Sequence, residues 1–160
     1  MEKGLMIVVL FCLTACGQPA HETSVLQKQV DSLSHALAAT YKPGLGDFMS
    51  SIQIHHNKLW FAGQNQNWKL ADFEIHEITE ALDDIQKYLP ERSESRMTRL
   101  LRPVLDSVAD AVRLHDVHLF TNRYTSLTNT CNTCHRATSF EGTIIKIPDQ
   151  PPFSNQQFKN

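Results

Sequence analysis

Several features that would assign a function class at once are missing from this sequence. There is no excess of positive charge. Fifteen Lys and Arg stand against seventeen Asp and Glu, a formal net charge of −2, so nothing marks a nucleic-acid footprint. No apolar run reaches the roughly 20 residues that a bilayer-spanning helix needs; the run at residues 5–13 is far shorter. Between residues 45 and 138 no stretch alternates with the period of a strand. G-x-S-x-G, H-E-x-x-H and the phosphate-binding glycine loop are all absent, which removes three common catalytic signatures. Cysteine is scarce as well. Two of the four lie at positions 12 and 16, which leaves no framework of structural disulfides.

The other two cysteines fall in the run Cys131-Asn132-Thr133-Cys134-His135. C-x-x-C-H is the attachment signature of a c-type haem, in which two thioethers hold the porphyrin and the adjacent imidazole takes an axial position on the iron. Two other uses of the cysteines compete. A thiol–disulfide pair normally sits near a βαβ pattern, and none is visible. A zinc site needs four ligands, and no second C-x-x-C or C-x-x-H completes the set, although His115 and His118 are available to be drafted. Eight histidines in 160 residues suit a metal or haem protein.

The amino terminus predicts export. Met1-Glu2-Lys3 precedes the short apolar run, and Leu13-Thr14-Ala15-Cys16 follows. That ending resembles the lipobox of bacterial lipoproteins. The resemblance implies a signal peptide over residues 1–15, cleavage before Cys16 and lipidation of its sulfur. A plain secretory signal cleaved near Ala15 or Ala20 is the alternative. Haem attachment to C-x-x-C-H takes place outside the cytoplasmic membrane, so both features point to the bacterial periplasm. Gly17, where an Asp would retain a lipoprotein at the inner membrane, favours the outer membrane. Three acyl chains give stable anchoring.

Residues 16–43 read as a tether with a short helical or coiled-coil stripe of Leu26, Val30, Leu33 and Leu37, closed by Pro43-Gly44. Four helical patterns follow within residues 44–140. The first, about 45–62, turns Leu45, Met49, Ile52, His56 and Leu59 inward. The second, about 67–88, carries Ala71, Ile75, Ile78, Leu82, Ile85 and Leu89, and Pro90 ends it. The third, about 95–114, carries Met97, Leu101, Val104, Leu105, Val108 and Val112; Pro103 either kinks it or marks its first turn. The fourth, about 116–137, carries Val117, Phe120, Tyr124, Leu127, Cys131 and Cys134. Both thiols continue its apolar face, so the motif presents the haem to a bundle interior, where helical bundles house cofactors. Residues 141–160 read as an extended, proline-rich tail. Within it, residues 143–147 form a short extended stretch, Phe153 and Phe158 either pack on the bundle or shield the haem edge, and the last several residues are as readily disordered.

An all-α chain of four antiparallel helices with C-x-x-C-H near the end of the last resembles the class II cytochromes c, over residues 45–138. The resemblance implies one covalent haem c per chain, His135 as proximal iron ligand, and a distal face covered by the first helix. Met49 falls at the distal position, with His56 as the rival, His55 pointing away, and an open sixth site as the remaining option. Leu45 and Thr138-Ser139 stand where the family often has basic residues, so the haem propionates need other cations. Arg123, Lys58 and Arg136 are the candidates. Glu74, Glu77, Glu80 and Asp84 form an acidic strip, either a docking patch for a redox partner or a solvated face. Trp60 and Trp68 read as core or haem-packing residues.

The expected function is one-electron transfer with no enzymatic activity of its own, to a periplasmic or membrane redox partner. The protein is tied to the membrane by its lipid, makes no nucleic-acid contact, and a dimer is among the possible states. A five-coordinate haem protein that binds small gases, and a lipoprotein scaffold without redox chemistry, are the alternatives.

Overall fold

The computed structural model describes residues 20–40 and 42–159; the expected signal peptide over residues 1–15 and Cys16 lie outside them. Every ordered element among the described residues is helical, with no strand. Two compact units divide near residue 41. The first contains α1, Ala20–Ala38. It carries the tether's apolar stripe, and Leu26, Val30, Leu33 and Leu37 are all exposed.

The second unit holds the remaining elements. Helix α2 spans Leu45–Gln64 and α3 spans Trp68–Tyr88. A short α4, Ser93–Met97, runs through a 3₁₀ turn, Thr98–Leu100, into α5, Leu101–Arg113. The last helix, α6, spans Val117–Ala137. In this unit the helices touch in a closed cycle: α2 on α3, α3 on α5, α5 on α6, and α6 on α2.

Local chemistry explains the boundaries. The Gly44 amide donates to the Asp47 carboxylate at 2.8 Å and starts α2. Asn67 and Asp116 accept from the Leu70 and Leu119 amides, capping α3 and α6. The helices before those caps end in left-handed residues, Gln66 at φ 55° and His115 at φ 54°. Each left-handed residue is bracketed by paired closing bonds: Asn67 N to Ala62 O and Gln66 N to Gly63 O, then Asp116 N to Ala111 O and His115 N to Val112 O. These are Schellman closures. A single residue therefore serves both as the end of one helix motif and as the cap of the next, which makes the connections very short.

The third helical pattern is not one helix. The stretch read as one pattern over about 95–114 breaks at Thr98–Leu100, and of the two readings of Pro103 the first-turn one is what the structure has. Pro103 falls in the first turn of α5, where a missing N–H removes no helical bond. Gln86 of α3 pins the break. Its amide donates to the Ser95 carbonyl and to Thr98 Oγ1, and its own oxygen accepts from Arg99 Nε.

The core runs between the four long helices, with Leu59, Ala62, Ala71, Ile85, Val108, Ala111 and Phe120 all fully buried. Trp60, Trp68, Phe120 and Tyr124 form one aromatic cluster, with Trp60 4.9 Å from Tyr124 and both tryptophans 6.3 Å from Phe120. Gly63 makes room for it, since a Cβ there would lie 2.2 Å from the Phe120 ring. The tail is not loose. Phe158 is buried, its ring 5.7 Å from Phe61. Ile147 packs on the core, and Asn57 donates to the Gln150 carbonyl.

Candidate cofactor site

The final turns of α6 bring Cys131, Cys134 and His135 to one end of the core. Cys134 is buried and Cys131 partly so, and both are free thiols. Burial pushes Cys131 up to about 12, with repulsion from Cys134 adding to it, and burial also raises Cys134. An attacking thiol of a disulfide-exchange pair has the opposite shift, so the pair is poorly suited to exchange. Helix α6 closes on Ser139 at φ 63°, with Phe140 N bonded to His135 O. Thr138 Oγ1 bonds back to the Cys134 carbonyl.

Two cavities adjoin here, of about 340 and 200 Å³, sharing Met49, Cys134, His135 and Thr143 in their walls. Cys131, Ile52, His56 and Ile145 line the smaller one. Leu45, Thr98, Phe140 and the Arg92–Glu94 pair line the larger. The sequence-predicted Met49, His56, Cys131, Cys134 and His135 are thus drawn to one place from two helices.

The His135 ring is oriented. Its Nδ1 lies 2.7 Å from the Thr143 carbonyl, which can only accept. A proton therefore sits on Nδ1, so in the neutral ring the lone pair is on Nε2. Ligating histidines are normally prepared in this way. Asn132, between the two cysteines, grips the same segment. Its Nδ2 donates to the Ile145 carbonyl at 2.7 Å, and its Oδ1 accepts from the Ile145 amide at 2.8 Å.

His56 is held differently. It is 4% exposed. Nδ1 lies 2.9 Å from the Tyr124 hydroxyl, and Nε2 lies 2.9 Å from Thr128 Oγ1. The Tyr124 hydroxyl also reaches the His56 carbonyl at 2.7 Å. Burial lowers the imidazole from 6.5 to about 4 and raises the Tyr124 phenol. Both ring nitrogens already have protein partners.

Other expected residues lie elsewhere. His55 Nδ1 is 2.6 Å from Glu74, and Lys58 Nζ is 3.1 Å from the other Glu74 oxygen, an ion pair rather than an aligned hydrogen bond. Lys58 is thus committed to Glu74. The acidic strip is not one solvated face, because Glu74 is fully buried while Glu80 is exposed beside His76. Arg123 and Arg136 are exposed and line neither cavity. His115 stacks on Trp68 at 5.6 Å, and His118 is exposed. Among the described residues, no group of three His, Cys, Asp or Glu side chains is placed to hold a metal ion.

Sequence reasoning missed three features. Arg92 is the basic residue in the cavity wall, 2.6 Å from Glu94, and it holds that carboxyl down to about 2. Its only signal was its position just past Pro90. Asn132 and the Thr143 carbonyl had no periodic signal at all.

No helix among the described residues is long and apolar enough to cross a membrane. No protein-family model, curated protein or solved structure matches the chain.

Proposed function

We propose that this chain is a monohaem c-type cytochrome with the antiparallel four-helix architecture of class II, anchored by lipid on Cys16 at the periplasmic face of the outer membrane. The closed cycle of helix contacts and the very short connections support that architecture. One observation carries the cofactor reading: two thiols, a thioether and an imidazole with Nδ1 already engaged surround the same pair of cavities. This donor set fits haem c and leaves no residue type wanting.

When bound, the haem supplies a one-electron ferric–ferrous couple. The chain's residues do the rest. Cys131 and Cys134 are the residues that would hold the porphyrin through thioethers. His135 offers Nε2 as the proximal ligand, and Met49 of α2 offers its sulfur from the other helix lining both cavities. His56 serves the packing instead, because ligation through either nitrogen would cost it a hydrogen bond in a buried setting. Arg92, paired with Glu94 in the wall of the larger cavity, is the cation that would be available to a haem propionate there. Ile52, Leu101 and Ile145 give the smaller cavity an apolar wall, which would limit water beside a bound haem and so help set its potential.

The test is expression in a host able to attach haem to C-x-x-C-H, followed by intact mass and visible spectroscopy with and without carbon monoxide. One haem per chain and low-spin bands in both oxidation states are expected. Met49→Ala converts the low-spin spectrum to one that binds carbon monoxide fully. A high-spin wild type that binds the gas equally well makes this a gas-binding protein, and a colourless polypeptide overturns the reading entirely.

A further inference from the structure

The segment after α6 does more than cover the motif. Thr143 and Ile145 are two residues apart in chain outside any helix, and α6 contacts both by side chain. His135 Nδ1 donates to the Thr143 carbonyl at 2.7 Å, and Asn132 makes a reciprocal pair of bonds with the Ile145 backbone at 2.7 and 2.8 Å. An asparagine amide bonded this way imitates a neighbouring strand residue, presenting one donor and one acceptor to one backbone unit. Losing either partner strands a part-buried polar group, so the pair resists slippage. Downstream, Ile147 packs on the core, the Gln150 carbonyl accepts from Asn57, and Phe158 is buried against Phe61. The strap is thus held on both sides of Thr143, by the closing turn of α6 before it and by these contacts after it.

We infer that Asn132 is a positioning residue for the proximal ligand: by clamping Ile145 it fixes the Thr143 carbonyl on His135 Nδ1, and so sets the orientation and donor strength of the imidazole toward iron. This rests on the haem reading above. A carbonyl that accepts the Nδ1 proton makes the imidazole a stronger donor and favours ferric iron. Outer-shell partners of this kind typically matter ten- to a hundredfold. Without the clamp the carbonyl wanders, donor strength falls, and ferrous iron gains.

The experiment uses the haem-loaded full chain. Asn132→Ala is compared with wild type by redox titration and by the solvent-exchange rate of the His135 Nδ1 proton in NMR. About a tenfold shift of the couple toward ferrous iron is expected, which for one electron is ~59 mV upward, together with at least tenfold faster Nδ1 exchange. Asn132→Asp keeps the acceptor for the Ile145 amide and gives a smaller shift. Ile145→Pro removes that amide while leaving the pentapeptide intact, and moves both readouts in the same direction. Thr133→Ala, at the other variable position of the motif, serves as the control and leaves both unchanged, because Thr133 bonds Asn129 and Arg136 but not the strap. Haem-loaded Asn132→Ala and Ile145→Pro with wild-type potential and exchange overturn the inference and leave the cytochrome reading standing. A colourless wild type overturns both.

Discussion

Acid destabilisation routed through His56 can be worked out from the structure. The imidazole is 4% exposed and lies between Tyr124 and Thr128. Burial strips solvation from the protonated ring and lowers its pKa to about 4, against 6.5 in the unfolded chain. Between those values the unfolded state binds the extra proton, so stability rises with pH across that window. The contribution is fully present above pH 6.5 and is lost as pH falls through 4. A gap of about two and a half units, at about 1.4 kcal/mol each, caps it at about 3 kcal/mol. At pH 5 about 2 kcal/mol of this is gone, a fall in Tm of about 5–10 °C for a unit of this size. The assay is urea unfolding of the haem-loaded protein at pH 7.5, 6 and 5, beside His56→Gln, which cannot titrate. The other ionising groups are common to both proteins and cancel in the difference. His56→Gln is less stable at pH 7.5, and its loss between pH 7.5 and 5 is smaller by about 2 kcal/mol. Parallel pH profiles refute the reasoning. A variant that also loses its low-spin spectrum shows that His56, not Met49, was the distal ligand.

Two further perturbations test the packing. Gly63→Ala drives a methyl into the buried Phe120 ring, and thermal unfolding registers a loss of about 1–3 kcal/mol despite the better helix propensity of alanine; an unchanged or raised Tm shows that the aromatic cluster yields easily. Glu74→Ala leaves Lys58 and His55 facing a buried void, and denaturant titration shows a loss of about 3 kcal/mol. Adding Lys58→Met restores part of that loss, since an apolar side chain no longer needs a buried acceptor; no recovery means that the glutamate acts through something other than this pair.

Much of the fold was legible because helices repeat. The stripes on α2, α3 and α6 recur every three or four residues, and the sequence alone placed Leu59, Ile78, Ile85, Phe120 and Cys134 inward, where they are buried. Pro90 stops a helix by covalent geometry, in any tertiary setting. The pentapeptide 131–135 carries its chemistry in residue identity and spacing, which needs no fold to be read. Pro103 marked a kink or a first turn in the third pattern, but the place of the break at Thr98–Leu100 was not readable, because the side chain that pins it comes from Gln86 on another helix.

The remainder was decided by contacts between distant positions. Glu74 looked like one more surface acid until α2 supplied His55 and Lys58 to it. His56 was inward by periodicity, yet its partners Tyr124 and Thr128 lie about seventy positions further on. The tail's residues signalled an extended stretch and phenylalanines that could pack, but not the contacts that dock it: Asn132 on the Ile145 backbone thirteen residues away, Asn57 on the Gln150 carbonyl and Phe61 on Phe158. Periodicity and covalent constraint act along the chain and leave their mark in the order of residues. A hydrogen bond between remote groups leaves none, because its stability depends on burial that only the folded molecule provides.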